Sequence, residues 1–328
     1  MKTNKETILV ATLVVLLGLA SAHVASAQNH LDPDIGFQPE VQQPLSYEQG
    51  DGTVVRTMGQ PEMFQLLITR LGRPEMTVAL PTEIAQINSI DPAVDNKAVV
   101  IGMINGSAYQ IEIVDTVNAR IVDEFLAYSP TLSPNGQFIA FVKMYPAHFV
   151  DGVSDYVMLY DLTRSASGNR PPGVTTDQEI DVGMPVYPPN IQTTDGNTGL
   201  PEAEINRVMS DMFFWAPDSS KFAFPAEHMV PQDTNGRVDK NESPQMVEVD
   251  LILANPSREK TTVTALSAMV CAASSCEHHL DGVEFGEDSI KAQFDGFSSK
   301  AGQKRTLEAK FNQFRAQEAD QGRGTRPR

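Results

Sequence analysis

A nine-residue segment, Ser133–Phe141 (SPNGQFIAF), recurs without a gap at Ala216–Phe224 (APDSSKFAF). Each copy opens with Pro followed by Asn or Asp and a small residue. That is tight-turn chemistry, because Pro presets φ and Asn or Asp bonds backbone two residues on. Each copy then enters an apolar run with no polar alternation, the pattern of a strand buried on both faces. After a loop of variable length comes a second apolar strand, Tyr156–Leu162 (YVMLYDL) in one copy and Val247–Leu253 (VEVDLIL) in the other. Asp161 and Asp250 precede apolar residues near the ends of these partner strands. A repeated unit of this kind buries its faces by stacking on its neighbours.

Weaker copies flank these two. Val94–Val100 (VDNKAVV) leads to Tyr109–Asp115, and Phe285–Phe294 (FGEDSIKAQF) leads past Gly296–Arg305 to a return strand at Thr306–Phe311. Phe64–Leu80 reads as a first, partial unit. Further strand signals, such as Ala98–Ile104, Arg120–Phe125 and Thr261–Leu266, are bounded by Gly, Pro, Asn and Asp. Within Tyr109–Val114, Ile111 and Ile113 alternate with Gln110 and Glu112, which predicts one dry face and one wet face. Thr82–Gln86 and Thr306–Gln317 are the best helix candidates, although Leu307, Ala309 and Phe311 in the second also alternate as a strand. The expected fold class is all-β and β-propeller-like, with about five antiparallel sheet units over about 250 residues. Inserts at Ser165–Arg207 and Met229–Gln245 stretch the period, so closure of a ring is left open and a β-sandwich is the competing architecture.

The turn-and-strand of Ser133–Phe141 with Tyr156–Leu162, and of Ala216–Phe224 with Val247–Leu253, resembles the TolB-like family of β-propeller repeats. The hallmark of that family is S-P-D-G-x-x-I-A-F followed by L-Y-V-x-D-L. The turn glycine is Gly136 in the first copy and is replaced by Ser219 in the second. The resemblance spans residues 90–270 in pieces, and repeat number and regularity depart from the family pattern. It implies a propeller whose loops carry binding at the rim and around a central channel.

Residues 1–27 fit a secretory signal: Lys2 and Lys5, an apolar run Ile8–Leu19, then Ala25-Ser26-Ala27 as a cleavage site. The run is shorter than the roughly 20 residues that span a bilayer. The expectation is a periplasmic or secreted chain, cleaved near Ala27, with no transmembrane span in the mature part. Residues 28–52, rich in Pro, Gln, Asp and Glu, form an extended leader; 53–312 form the propeller-like domain; 313–328 form a basic disordered tail. Net charge is −17, divided into +1 over residues 1–27, −23 over 28–290 and +5 over 291–328. A body this acidic repels phosphate backbones, so nucleic acid is excluded as a partner. The basic tail either makes a weak contact with an anionic membrane surface or folds back on its own acidic body.

Candidate chemistry is sparse. Cys271 and Cys276 enclose four residues and suit a disulfide in an oxidising compartment, with free thiols or a metal site shared with His278 and His279 as the alternatives. Asp233, Asn235, Asp239 and Glu242 resemble a calcium loop that has lost its central Asp-Gly pair, and a metal-free hairpin tip explains them equally. Otherwise no cofactor is expected. His148 and His228 follow their repeat strands at comparable places and, with Asp155 and Asp195, are rim candidates. No G-x-S-x-G elbow, H-E-x-x-H motif or phosphate loop occurs. Two functional classes remain. One is a non-catalytic module binding a protein or peptide in the cell envelope, with the two inserts as its surface. The other is an envelope hydrolase or lyase built on Asp155, Asp161, His148, His228 and Asp250. The sequence favours the first.

Overall fold

The computed structural model describes residues 44–105, 108–144, 155–170, 182–187, 213–229, 246–257, 261–272, 279–295 and 305–316. All belong to the structural unit Gln43–Arg328; the remainder, Met1–Gln42, lies outside the described residues. Every regular element among them is a strand or a single 3-10 turn.

The first sheet has the order β1 (Ser46–Glu48), β2 (Val54–Met58), β3 (Gln65–Thr69), β4 (Met76–Ala79). Its first strand falls in the stretch expected to be a leader. A seven-stranded sheet follows as a meander: β5 (Gln86–Ala93), β6 (Lys97–Asn105), β7 (Ala108–Asp115), β8 (Arg120–Leu132), β9 (Phe138–Met144), β10 (Asp155–Asp161) and β11 (Met184–Tyr187). The third sheet is β12 (Phe214–Trp215), β13 (Phe222–Met229), β14 (Met246–Asn255) and β15 (Thr262–Ala272), with β19 (Arg315–Ala316) on its edge. The fourth is β16 (His279–Phe285), β17 (Ser289–Asp295) and β18 (Arg305–Lys310). All pairings are antiparallel.

The seven-stranded sheet is two units joined by one long strand. Arg120–Tyr128 of β8 pairs with β7, whereas Tyr128, Thr131 and Leu132 pair with β9. The register breaks between them, where Ser129 adopts a left-handed φ of 48° and Pro130 follows. The described residues therefore form five sheet units: I (β1–β4), II (β5–β8), III (the end of β8 to β11), IV (β12–β15 with β19) and V (β16–β18). This is the all-β, propeller-like architecture in about five units that the repeat predicts.

Alternation along each strand explains the stacking. In β9, Phe138, Ala140 and Val142 face unit IV, while Ile139 and Phe141 face unit II. In β10, Val157 and Leu159 point one way and Tyr156, Met158 and Tyr160 the other. Side chains that alternate between two dry layers make a continuous apolar run in sequence. Four apolar layers thus join I to II, II to III, III to IV and IV to V. The end units differ. In β17, Ile290, Ala292 and Phe294 are buried against unit IV, but Lys291 and Gln293 between them face outward. Among the described residues no apolar layer joins unit V to unit I, so no ring closure is seen there.

The structure corrects several expectations. The described part of Thr306–Gln317, up to Ala316, is not an α-helix: Leu307 and Ala309 lie opposite Ala292 and Ile290 and complete unit V. Thr82–Gln86 is not a helix: it begins as a short turn, puts Ile84 into the core and enters β5 at Gln86, too short to nucleate helix. Glu112 is not on a wet face, because unit I covers it and buries it fully. The insert Ser165–Arg207 contains β11, which completes unit III. Asp161 and Asp250 stand at different registers of their ladders. Asp161 is opposite Phe138, while Asp250 is opposite Ala226, five residues beyond the matching position in the second copy.

Candidate functional site

One rim gathers the turns between the first and second strands of units II, III and IV. Val94–Lys97 closes β5–β6, with Asp95 and Asn96 both at positive φ. Ser133–Phe138 closes the next: the Gly136 N–H donates to the Ser133 carbonyl, and the Phe138 N–H donates to Ser133 Oγ at 2.9 Å. Ala216–Lys221 repeats the fold of this turn, with the Ser219 N–H donating to the Ala216 carbonyl and the Ser220 N–H to Asp218 Oδ1. The three turns touch in series. The Val94 N–H donates to the Gly136 carbonyl at 3.1 Å, and the Asn135 N–H donates to Ser219 Oγ at 2.9 Å.

The third strands of units II and III end on the same rim, since Lys97 is opposite Asp115 and Phe138 opposite Asp161. Each terminal Asp shapes the turn beyond it. Asp115 Oδ1 accepts from the N–H groups of Val117 and Asn118, and Asp161 Oδ1 accepts from the Thr163 N–H and hydroxyl. Burial alone would raise the Asp115 pKa, but the Asn118 amide, these two N–H groups and Arg120 outweigh it and hold the carboxylate below its ordinary range.

Between units II and III the rim opens into a cleft of about 530 Å³. Ile113, Val122, Tyr160 and Leu162 are its apolar lining, with Val117 exposed at its lip. Asp95, Lys97, Asp115, Arg120, Thr163 and Arg164 supply its polar groups. The Lys97 ammonium donates to the Leu162 carbonyl, which ties the two units together across the cleft. Arg120 stands 3.8 Å from Asp115 and is 69% exposed. The cleft therefore offers apolar area with charges of both signs around it, a surface suited to a mixed polar and apolar polypeptide.

Beside the cleft is the base of the first insert. Ala166–Asn169 forms a 3-10 turn capped by Ser165. Arg170 reaches back to Asp123 on β8 in a two-pronged pair, Nη2 to Oδ1 at 2.8 Å and Nη1 to Oδ2 at 3.1 Å. Both side chains are nearly closed to solvent, at 6% and 5% exposure. The Tyr160 hydroxyl donates to the same Asp123 Oδ2 at 2.6 Å. Burial and then the Asp123 charge push the Tyr160 phenol far above its ordinary range. The bonds to Asp123 hold the Arg170 pKa up against its burial. Asn169 clamps the end of β10, donating to the Asp161 carbonyl and accepting from the Asp161 N–H. Beyond residues 171–181 the chain returns at Val182 and Gly183. The Gly183 N–H donates to the Asn169 carbonyl at 2.6 Å. Gly183 has a φ of +92°, and a Cβ there would press on the Phe141 ring at 3.1 Å. Asn169 and Gly183, which stand on either side of residues 171–181, are therefore pinned together.

Few of the sequence-predicted site residues can be placed. Asp233, Asn235, Asp239, Glu242, Asp195, His148 and Cys276 lie outside the described residues. Cys271 is in β15, His228 in β13 opposite Glu248, and Asp155 at the start of β10, with side chains outside the description. Asp155 and Asp161 occupy the two ends of the seven-residue β10, about 20 Å apart at ~3.3 Å per residue. Those two suspects of the enzyme reading do not share a site. Among the described residues no group of three His, Cys, Asp or Glu is arranged to hold a metal ion, and no helix is long and apolar enough to cross a membrane. The Asp123–Arg170–Tyr160 cluster escaped the sequence reading. Its only local signal was an Asp inside the otherwise strand-like Arg120–Phe125.

No family model and no curated protein matches the chain. Solved structures do show similarity at low identity. The tricorn protease is 12% identical with a TM-score of 0.33, over 83% of this chain and 32% of that one. The β-propeller domain of the Trilobed protease from Pyrococcus furiosus is 9% identical with a TM-score of 0.30, over 81% and 82%. A functionally unknown protein from Desulfotomaculum acetoxidans is 12% identical with a TM-score of 0.26, over 79% and 84%. The likeness is one of architecture and carries nothing about activity.

Proposed function

We propose that this chain is an exported, non-catalytic propeller-type module that holds a protein or peptide partner at the turn-bearing rim between units II and III. The observation that supports this reading best is the base of the first insert. Arg170 and Gly183, the described residues on either side of 171–181, are both tied to the sheet units beside an open cleft. Binding segments are commonly loops positioned by a rigid scaffold. The cleft adds apolar area next to charges of both signs, which suits a polypeptide better than a small uniform ligand.

The test is capture from an envelope extract with the full chain and with a variant in which residues 171–181 are replaced by a short Gly-Ser linker. The expected result is a partner retained by the full chain and lost by the variant, with unfolding curves that superimpose. Retention of the same partner by the variant would overturn the assignment of this rim.

A further inference from the structure

Glu112 sits in the middle of β7 with no exposure to solvent. Its neighbours Ile111 and Ile113 face unit III, so Glu112 faces the opposite layer. On that side Ile90, Val100 and Val114 of unit II pack against Val55, Leu66, Ile68 and Val78 of unit I. Across the ladder Glu112 is opposite Val100 on β6 and Glu124 on β8. One oxygen, Oε1, accepts from the Gln110 amide at 2.8 Å. The other, Oε2, is buried and has no hydrogen-bond partner.

The charges that act on it are all acidic: Glu124 and Asp123 from β8, and Glu83 from the segment before β5. From unit I, two groups lie on the facing side: Tyr47, itself raised by burial and near Asp91 of β5, and Arg70, which follows β3 on the side of Leu66 and Ile68 and donates to Thr53 Oγ1, and which is not among the charges acting on Glu112. Glu48 and Arg56 alternate onto the far face of that sheet. An ionised carboxylate here would be desolvated without a cation to offset it, which is costly. Burial foremost, reinforced by the three carboxylates and opposed by Gln110, raises the Glu112 pKa to about 8.

We propose that Glu112 is a proton-held latch: protonated, it keeps unit I seated on unit II, and its ionisation loosens that layer. Because the folded chain binds this proton more tightly than the unfolded chain, the favourable contribution is complete below the ordinary glutamate range. It is lost progressively as pH rises, until the folded group has titrated near 8. Unit I is the end of the array and packs on one neighbour only among the described residues, so it is the unit the latch can release.

The experiment is amide hydrogen exchange on the full chain between pH 5 and 9, each rate divided by its intrinsic rate at that pH. Protection of Val55, Leu66 and Ile68 is expected to fall as pH rises to 8, by up to about tenfold per pH unit. Protection of β9 and β14 is expected to stay level. In Glu112→Gln, a neutral near-isostere, unit I is expected to lose this pH dependence. In Glu124→Gln, an exposed change, the midpoint is expected to move to lower pH. A flat profile in the native chain, a slope retained in Glu112→Gln, an unmoved midpoint in Glu124→Gln, or equal loss in all units would overturn the latch.

Discussion

The backbone N–H of Asn135 donates to Oγ of Ser219 at 2.9 Å, a bond between corresponding turns 84 residues apart. Ser219 holds a left-handed φ of 60°, where the first copy of the repeat has Gly136 at 68°. The two copies use this position differently because their neighbours differ. A Cβ on Gly136 would meet Ala93 Cα and the Pro92 carbonyl oxygen at 3.0 Å, so the close approach of unit II requires glycine. At Ser219 the neighbouring turn presents an N–H, and the hydroxyl accepts it.

Ser219→Ala keeps the positive φ and loses the acceptor, so it is expected to destabilise the fold by about 1–2 kcal/mol. Ser219→Gly loses the same bond but relieves the backbone, and is expected to lie within about 1 kcal/mol of the native chain. Gly136→Ala is expected to cost at least about 2 kcal/mol, from left-handed strain plus the contact with Ala93. Urea unfolding of the three variants checks the order.

The Asp123–Arg170 pair predicts a strongly non-additive response. Asp123→Ala leaves a buried guanidinium unpaired and is expected to cost about 3–5 kcal/mol. Arg170→Met in that background is expected to recover part of the loss, which a double-mutant cycle measures directly. Tyr160→Phe removes one donor to the same carboxylate and is expected to cost about 1 kcal/mol.

Part of the stability of the rim depends on Asp115 staying ionised and is lost at low pH. Its carboxylate is held below the ordinary range, so its contribution is complete above that range and disappears as pH falls through the depressed folded value. The stability difference between the native chain and Asp115→Ala is therefore expected to shrink progressively below about pH 4. Thermal melts of both proteins from pH 6 down to 2.5 follow it.

Phe141 is fully buried between units II and III, against Phe125 at 5.0 Å between ring centroids. Phe141→Ala is expected to cost about 3–5 kcal/mol. It also removes the ring against which Gly183 lies, so protease sensitivity within residues 171–181 is expected to rise together with the loss of stability.

How much of this was legible in the sequence depends on the range of the forces involved. Turn chemistry at Ser133–Phe138 and Ala216–Lys221 acts within a few residues, and burial on both faces writes itself as an uninterrupted apolar run. The all-β class, the tight turns and the number of units were therefore readable from residues alone. Register was not. Asp161 and Asp250 both stand near the ends of second strands, but strand pairing sets which residues oppose each other, and it puts them five places apart. Strand β5 was hidden by Asp91-Pro92, and β11 by its place inside an apparent insert, because edge pairing stabilises segments with weak intrinsic preference. The partnership of Asp123 with Arg170 joins positions 47 residues apart and leaves no periodic trace. Glu112 shows the division most clearly. Alternation correctly put it on the face opposite Ile111 and Ile113, a local property of any strand. Whether that face met water or another sheet was decided only when unit I packed over it, and that packing took away the solvent a carboxylate needs to ionise.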